Sequence, residues 1–328
     1  MKRPDLESPI PRLTRAELVF WLLPVLAYFV FPNHLILGSQ ILIACIFVLS
    51  LDLIMGYAGM ITLGHAAGFG VGAYTAGLLS VHGWGEPLSG LLAATLVAAV
   101  AGWLIALLIV RLGDLARLMV TLGMCLMLFE VGNKASSITG GLDGLSGMQM
   151  WRVLGLFEFD IDGKVAYLYS LVLLVLVFFF LRQLVASPFG LSLKGIHQKV
   201  ARMPSLGVSV DRRLVAAFTV GTAIAGLAGG LLAQVTQFVG LDSLGFQRSA
   251  DVLIMLMLGG AGRLYGGMVG AVVFIAAHHV LSSINPVYWE FWIGLMLVVI
   301  VCTARGGLVS LKERLVALAS LHRSKRHV

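Results

Sequence analysis

Long uninterrupted apolar runs constrain this chain more than any other feature. Residues 171–181 read LVLLVLVFFFL and residues 291–301 read FWIGLMLVVIV. Such a run offers no polar face to water, so lipid is its natural solvent. A membrane span needs about 20 mostly apolar residues and must satisfy its own backbone hydrogen bonds, which a helix does. A closed β-barrel would instead show short segments of alternating polarity. Composition agrees: 59% of the 328 residues are hydrophobic and 12% charged, against about 45–50% and 25% in soluble domains. The expected fold is an all-α, polytopic transmembrane helical bundle.

The apolar segments fall at roughly 18–32, 35–55, 66–81, 88–110, 117–132, 165–186, 214–239, 250–264, 267–283 and 287–304. The runs at 66–81 and 250–264 are short, so eight full spans plus two broken ones are as consistent with the pattern as ten. The first run starts at Leu18 and lacks a small-residue cleavage site after it, so it reads as a retained span. The organisation expected is a polar N-terminal tail at 1–17, a transmembrane domain at 18–304 and a basic tail at 305–328.

Orientation follows from Lys and Arg in short loops. With the N-terminus in the cytoplasm, 19 of the 23 cations lie inside. Only Lys134, Arg152, Lys164 and Arg248 lie outside. Both termini are therefore expected in the cytoplasm. Residues 133–164 become an extracytoplasmic loop, and residues 187–213 the main cytoplasmic loop. The cations flank apolar segments and do not interleave with aromatics, which argues against nucleic acid as a partner. Cys45, Cys125 and Cys302 all sit in apolar runs and read as small core residues.

The densest motif is LDLIMGYAGMITLGHAAGFGVGAYTAGLL, residues 51–79. Small residues let membrane helices approach closely, so one reading is a tight helix–helix seam. The other is a broken element lining a pathway, because irregular backbone at membrane depth survives only inside protein or beside water. Asp52 and His65 lean toward the second, since ionisable groups in a membrane are costly and face a cavity or partner. Asp52 at the cytoplasmic interface, and His65 as a hydrogen-bonded structural residue, are the bland alternatives.

This stretch resembles the permeases of ATP-binding-cassette (ABC) importers for branched-chain amino acids, specifically the larger of two permease types. The shared signature is N-L-x-x-G-Y-x-G-Q-x-S-x-G-H-A-x-F-x-G-x-G-A-Y. Gly56, Tyr57, Gly59, Gly64, His65, Ala66, Gly70, Gly72, Ala73 and Tyr74 match it. Asp52 stands for Asn, Met60 for Gln, Thr62 for Ser and Gly68 for an aromatic. Three further stretches resemble the family in the right order: ITGGLDGLSGM at 138–148, SPFGLSLKGIHQKVARMPSLGVSV at 187–210, and LGGAGRLYGGMVGA at 258–271. In the second, His197 and Gln198 replace the usual Arg and Glu.

The resemblance implies a translocation pathway walled by Asp52, Gly56, Tyr57, Gly59, Thr62, Gly64, His65 and Tyr74. It also implies a coupling helix that docks on an ATPase subunit, carried by Gly190, Lys194, Ile196, His197, Arg202 and Gly207. Residues 194–202 can form that helix, with Pro204 and Gly207 ending it; a basic helix lying on anionic lipid is the plainer reading. Gly140, Gly141, Asp143 and Gly144 read either as a flexible turn cluster or as an outer gate facing a delivery protein.

The partners implied are a second permease forming a heterodimer, two ATP-binding subunits, a periplasmic or extracellular solute-binding protein, and the lipid of a bacterial cytoplasmic membrane. The chain holds no G-x-x-x-x-G-K-[ST] loop, so ATP is expected to be used by partner subunits and no cofactor by this chain. No catalytic constellation or metal-ligand spacing occurs: the chain reads as not an enzyme, and His278-His279 cannot share a helix face. An ion-coupled secondary transporter is the alternative, needing paired intramembrane ionisable groups, for which Asp52, Glu130 and Asp251 are the acidic candidates.

Overall fold

A computed structural model describes residues 15–151, 163–286 and 288–303. The tail expected at 305–328, most of that at 1–17, and residues 152–162 of the 133–164 loop lie outside these.

Every described regular element is helical. The order is α1 (Arg15–Val30), α2 (Leu35–Leu51) continued by a π-helical turn (Asp52–Tyr57), α3 (His65–Val81), α4 (Pro87–Ile109) and α5 (Asp114–Lys134). After a one-turn α6 (Ser136–Thr139) come α7 (Lys164–Ala186), α8 (Pro188–Gln198), α9 (Val210–Thr236), α10 (Phe246–Gly259), α11 (Leu264–Ile284) and α12 (Trp289–Thr303). Apart from α6 and α8, these helices match the ten apolar segments in order. Six segments are long and apolar enough to cross a bilayer unaided, and α1 and α12 add shorter apolar stretches.

The two short runs are short helices. α3 has 17 residues and α10 has 14, about 25 and 21 Å at 1.5 Å per residue, against a hydrocarbon core of about 30 Å. Each makes up its length with non-helical chain. Residues 58–64 precede α3, and residues 260–263 follow α10.

The glycine-rich motif has two halves, the first a broken element and the second a helix–helix seam. Its first half is broken: Ala58 N–H bonds back five residues to the Leu53 carbonyl at 3.2 Å, which is π-helical spacing, and Gly59 takes φ +72°. Its second half is a seam. A Cβ on Gly72 would overlap the Gly226 backbone, and one on Gly229 the Phe69 carbonyl. α9 meets α4 the same way, Gly226 lying against the Ala98 methyl. Small residues therefore let α3, α4 and α9 touch backbone to backbone, the close approach that drives association where lipid removes the hydrophobic force.

The bundle has two distinct ends. At one, the α2–α3 break, the α4–α5 turn, α8 and the α10–α11 bend gather, with Arg111, Arg117, Lys194 and Arg263 among them. This is the end that the charge pattern leads one to expect in the cytoplasm, and it is called the inner end below. At the other, residues 140–151 fold over the end of α3.

Candidate translocation and coupling site

The inner end is organised by the π turn. Asp52 is fully buried, and its Oδ1 accepts the Gly262 N–H at 2.6 Å. That bond links two stretches 210 residues apart. Gly56 has no Cβ because one would overlap the Asp52 carboxylate and the Gly262 amide. Tyr57, at the end of the π turn, is buried as well.

α8 closes on the same turn from outside. Its N-terminus is set by Ser187, whose Oγ accepts from the Gly190 N–H at 3.5 Å, with Pro188 in the first turn. Proline fits there because its missing N–H would have had no helical partner. This moves the helix expected at 194–202 back to Pro188–Gln198. Lys199, extended at φ −155°, stops it, and Arg202 falls in a separate 3₁₀ turn. From α8 the Lys194 Nζ lies 5.4 Å from the Tyr57 ring centroid. The His197 Nδ1 lies 3.0 Å from the Gly56 carbonyl. It must be the protonated nitrogen there, since a carbonyl can only accept. The same ring packs on Gly59.

The expected coupling residues thus divide. Gly190 and Ile196 are buried against their own chain; Lys194 and His197 grip the π turn. Arg202 and Gly207 are exposed. Sequence reasoning passed over Leu191, Val200 and Leu206, apolar side chains 61%, 54% and 73% exposed on this connection. Their signal was available: apolar residues spaced through an otherwise polar loop. Beside them opens a polar crevice of about 670 Å³, lined by Gly59, Met60, Arg111, Asp114, Arg117, His197 and Asp211 among others. Arg111 pairs with Asp211 at 3.7 Å across its mouth. Arg117 reaches Asp114 at 3.2 Å from a buried position.

The expected pathway residues also divide. Asp52, Gly56, Tyr57, Gly59, Thr62, Gly64 and His65 all lie in or beside the α2–α3 break. Thr62 is buried and accepts the Gly64 N–H at 3.3 Å. Gly64 abuts the Thr121 carbonyl of α5. His65 hydrogen-bonds Ser50 at 2.7 Å and stacks on Phe47 at 5.4 Å between centroids. The next residue, Ala66, gives its N–H to Ser249 Oγ of α10 at 2.9 Å. Tyr74 stands apart, about 13 Å up α3 from His65 by helical rise, within the outer apolar cluster of Leu145, Met148, Val239 and Leu244.

That outer cluster holds the expected gate. Leu145 and Val239 exchange both backbone hydrogen bonds, at 2.8 and 3.1 Å, so the 140–148 segment is strapped to the end of α9. Gly140, Gly141 and Gly144 take φ of +77°, +58° and +74°, which L side chains reach only with strain. They turn the strap so that Leu142 and Asp143 are exposed, while Gly141 and Gly144 are buried. Separately, an apolar cleft of about 760 Å³ runs between α1, α2, α7 and α11. No group of three or more His, Cys, Asp or Glu that could hold a metal occurs among the described residues.

Ten apolar helices among the described residues, with a loop helix clasping the α2–α3 break, make this a multi-pass membrane protein. The chain belongs to the family described as branched-chain amino acid transport system / permease component, whose model matches residues 35–301. It is 29% identical over 296 residues to the high-affinity branched-chain amino acid transport system permease protein LivM of Salmonella typhimurium, covering 82% of this chain and 68% of that protein. The Escherichia coli LivM is 29% identical over 284 residues, 79% of this chain and 66% of its own length. The chain thus spans about two thirds of these curated relatives. A LivH permease of E. coli is 23% identical over 269 residues, 76% of this chain and 84% of that protein. No solved structure matches.

Proposed function

We propose that this chain is one permease subunit of an ATP-driven importer in a bacterial inner membrane, carrying branched-chain amino acids or a closely related small solute. It pairs there with a second permease. Separate ATPase subunits drive it, and a soluble binding protein delivers the solute.

The observation that carries this reading is that α8 faces two ways. Its inner face holds the π turn through Lys194 and His197, while its outer side and the knuckle after it expose Leu191, Val200 and Leu206. A helix that only rested on lipid would not need the inward grip. A soluble partner pressing on the exposed residues moves the α2–α3 break directly. Arg202 and Gly207, on the same exposed side, are proposed as part of that docking face.

The Gly56–Tyr74 stretch is proposed as the pathway wall. The N-terminus of α3 is its electropositive end, and in this conformation Ser249 accepts the Ala66 N–H there. A solute carboxylate reaching this end would compete for the place of the Ser249 hydroxyl. The 140–144 turns, with Asp143 exposed, are proposed as the outer gate under the delivery protein. Nothing in the site favours the ion-coupled alternative.

The test is uptake of radiolabelled leucine into vesicles that hold this chain with its ATPase subunits, second permease and binding protein. Uptake should require ATP and all partners. Leucine accumulation that persists without ATP or without the ATPase subunits would refute the reading.

A further inference from the structure

α8 packs on the α2–α3 break, and the α10–α11 bend packs on the same turn, Gly262 lying against Gly56. To that packing the Asp52 side chain adds a hydrogen bond between turn and bend. Asp52 lies at the start of the π turn, Oδ1 on the Gly262 N–H at 2.6 Å and Oδ2 fully buried with no partner among protein atoms. A carboxylate enclosed with half its acceptors idle is a costly way to make one backbone hydrogen bond. The amide it holds is the turning point of a hairpin: Gly260 and Gly262 both take positive φ, +102° and +79°, on either side of Ala261.

The hairpin beyond that bend is closely packed on itself. α10 and α11 approach through glycine, since a Cβ on Gly259 would overlap the Gly266 carbonyl and one on Gly270 the Met255 carbonyl. Along α2 the hairpin otherwise meets mostly apolar surface, Gly267 lying against Val48, with a long Cys45 Sγ contact to the Met268 carbonyl at 3.7 Å. At the bend itself the Asp52–Gly262 bond is a short directional tie.

From this juxtaposition we infer that Asp52 is a positioning residue for transport, tying the turn gripped by α8 to the α10–α11 hairpin so that a displacement of one moves the other. The inference rests on the coupling role proposed for α8. The route runs from His197 to the Gly56 carbonyl, four residues along the turn to Asp52, then to Gly262.

The experiment uses the full complex in lipid, with spin labels read as distances in two pairs. Leu191 on α8 and Ala261 at the bend are each measured against Leu108, an exposed residue of α4. In the parent, adding ATP should shift both distances. In Asp52→Ala the Leu191 shift should persist and the Ala261 shift vanish, and leucine taken up per ATP hydrolysed should fall about tenfold, the scale on which residues along a coupling route modulate it. Asp52→Asn keeps an acceptor and should restore both. Asp52→Leu, of similar bulk without an acceptor, repeats the test should the alanine variant not assemble. An Ala261 shift that survives loss of the acceptor, or an Asn variant as defective as Ala, would overturn the inference. Absence of any ATP-driven shift at Leu191 in the parent would instead remove the coupling role of α8, and this relay with it.

Discussion

The contact between Gly59 and His197 gives the most quantitative test of the α8 clasp. Gly59 takes φ +72°, so Gly59→Ala carries a left-handed cost of about 1–2 kcal/mol. Its new Cβ would also stand 2.8 Å from His197 Cδ2 and 3.0 Å from Cγ, where ordinary contact begins at 3.4 Å. Gly59 is flanked by buried Ala58 and Met60, so the exposed imidazole is what gives way, by about 0.6 Å. The His197–Gly56 hydrogen bond, 3.0 Å long, then stretches beyond bonding range. Losing it costs about 0.5–1.5 kcal/mol. The substitution should therefore destabilise by roughly 1.5–3.5 kcal/mol in total. In a His197→Ala background the ring is gone, and only the backbone term of about 1–2 kcal/mol remains. Equilibrium unfolding of all four proteins in mixed micelles closes a double-mutant cycle, and its coupling energy should be about 0.5–1.5 kcal/mol. Additivity within about 0.3–0.5 kcal/mol would mean that ring and turn do not touch, and the clasp reasoning would fail.

Other outcomes follow from the same geometry. Gly72→Leu should separate α3 from α9, because the Gly226 backbone it meets cannot rotate away; the check is loss of the monodisperse peak in detergent, and a normally folded leucine variant would refute the seam. Leu206→Asp, at a side chain 73% exposed, should leave folding intact and abolish co-purification with the ATPase subunits; retention of those subunits would move the docking face elsewhere. Ser50→Ala removes the partner of a fully buried imidazole and should cost about 1–3 kcal/mol, read as a lowered unfolding midpoint.

How much of this was legible in the chain depended on distance along it. The helices followed from hydropathy, because an apolar run is a local signal and lipid penalises every alternative to a helix. The two short spans were visible as short runs. The start of α8 was missed although Ser187-Pro188 is an N-cap and first-turn proline. The basic residues at 194–202 mark the charge of the loop, whereas the Ser187 cap sets where its helix starts. Tyr74 was grouped with the α2–α3 break by motif membership, but nine residues of α3 carry it to the outer cluster. The Asp52–Gly262 bond had no sequence signal: neither residue type specifies a partner 210 positions away. The exposed Leu191, Val200 and Leu206 were legible yet unread, since an apolar residue in a loop is as often core as surface.

The inner end also explains why polar residues cluster in so apolar a chain. A helix interrupted at membrane depth frees backbone groups that nothing in hydrocarbon can satisfy, and here side chains take them up. Thr121 Oγ1 accepts the Leu63 N–H at 3.3 Å, Ser249 the Ala66 N–H at 2.9 Å and Asp52 the Gly262 N–H at 2.6 Å, while His197 donates to the Gly56 carbonyl at 3.0 Å. Each donor or acceptor comes from a different element: α5, α10, the π turn and α8. The break is thus a point where four parts of the bundle are joined by single hydrogen bonds, whereas the α3–α4–α9 seam is joined by whole faces of backbone contact. Motion should follow the weaker joints. Withdrawing α8 unfolds no helix, but it gives up the His197–Gly56 bond, about 0.5–1.5 kcal/mol, and the burial of Leu193 and Ile196, about 1.5–3 kcal/mol each. Motion driven through α8 is therefore expected at the break, while the seam stays closed.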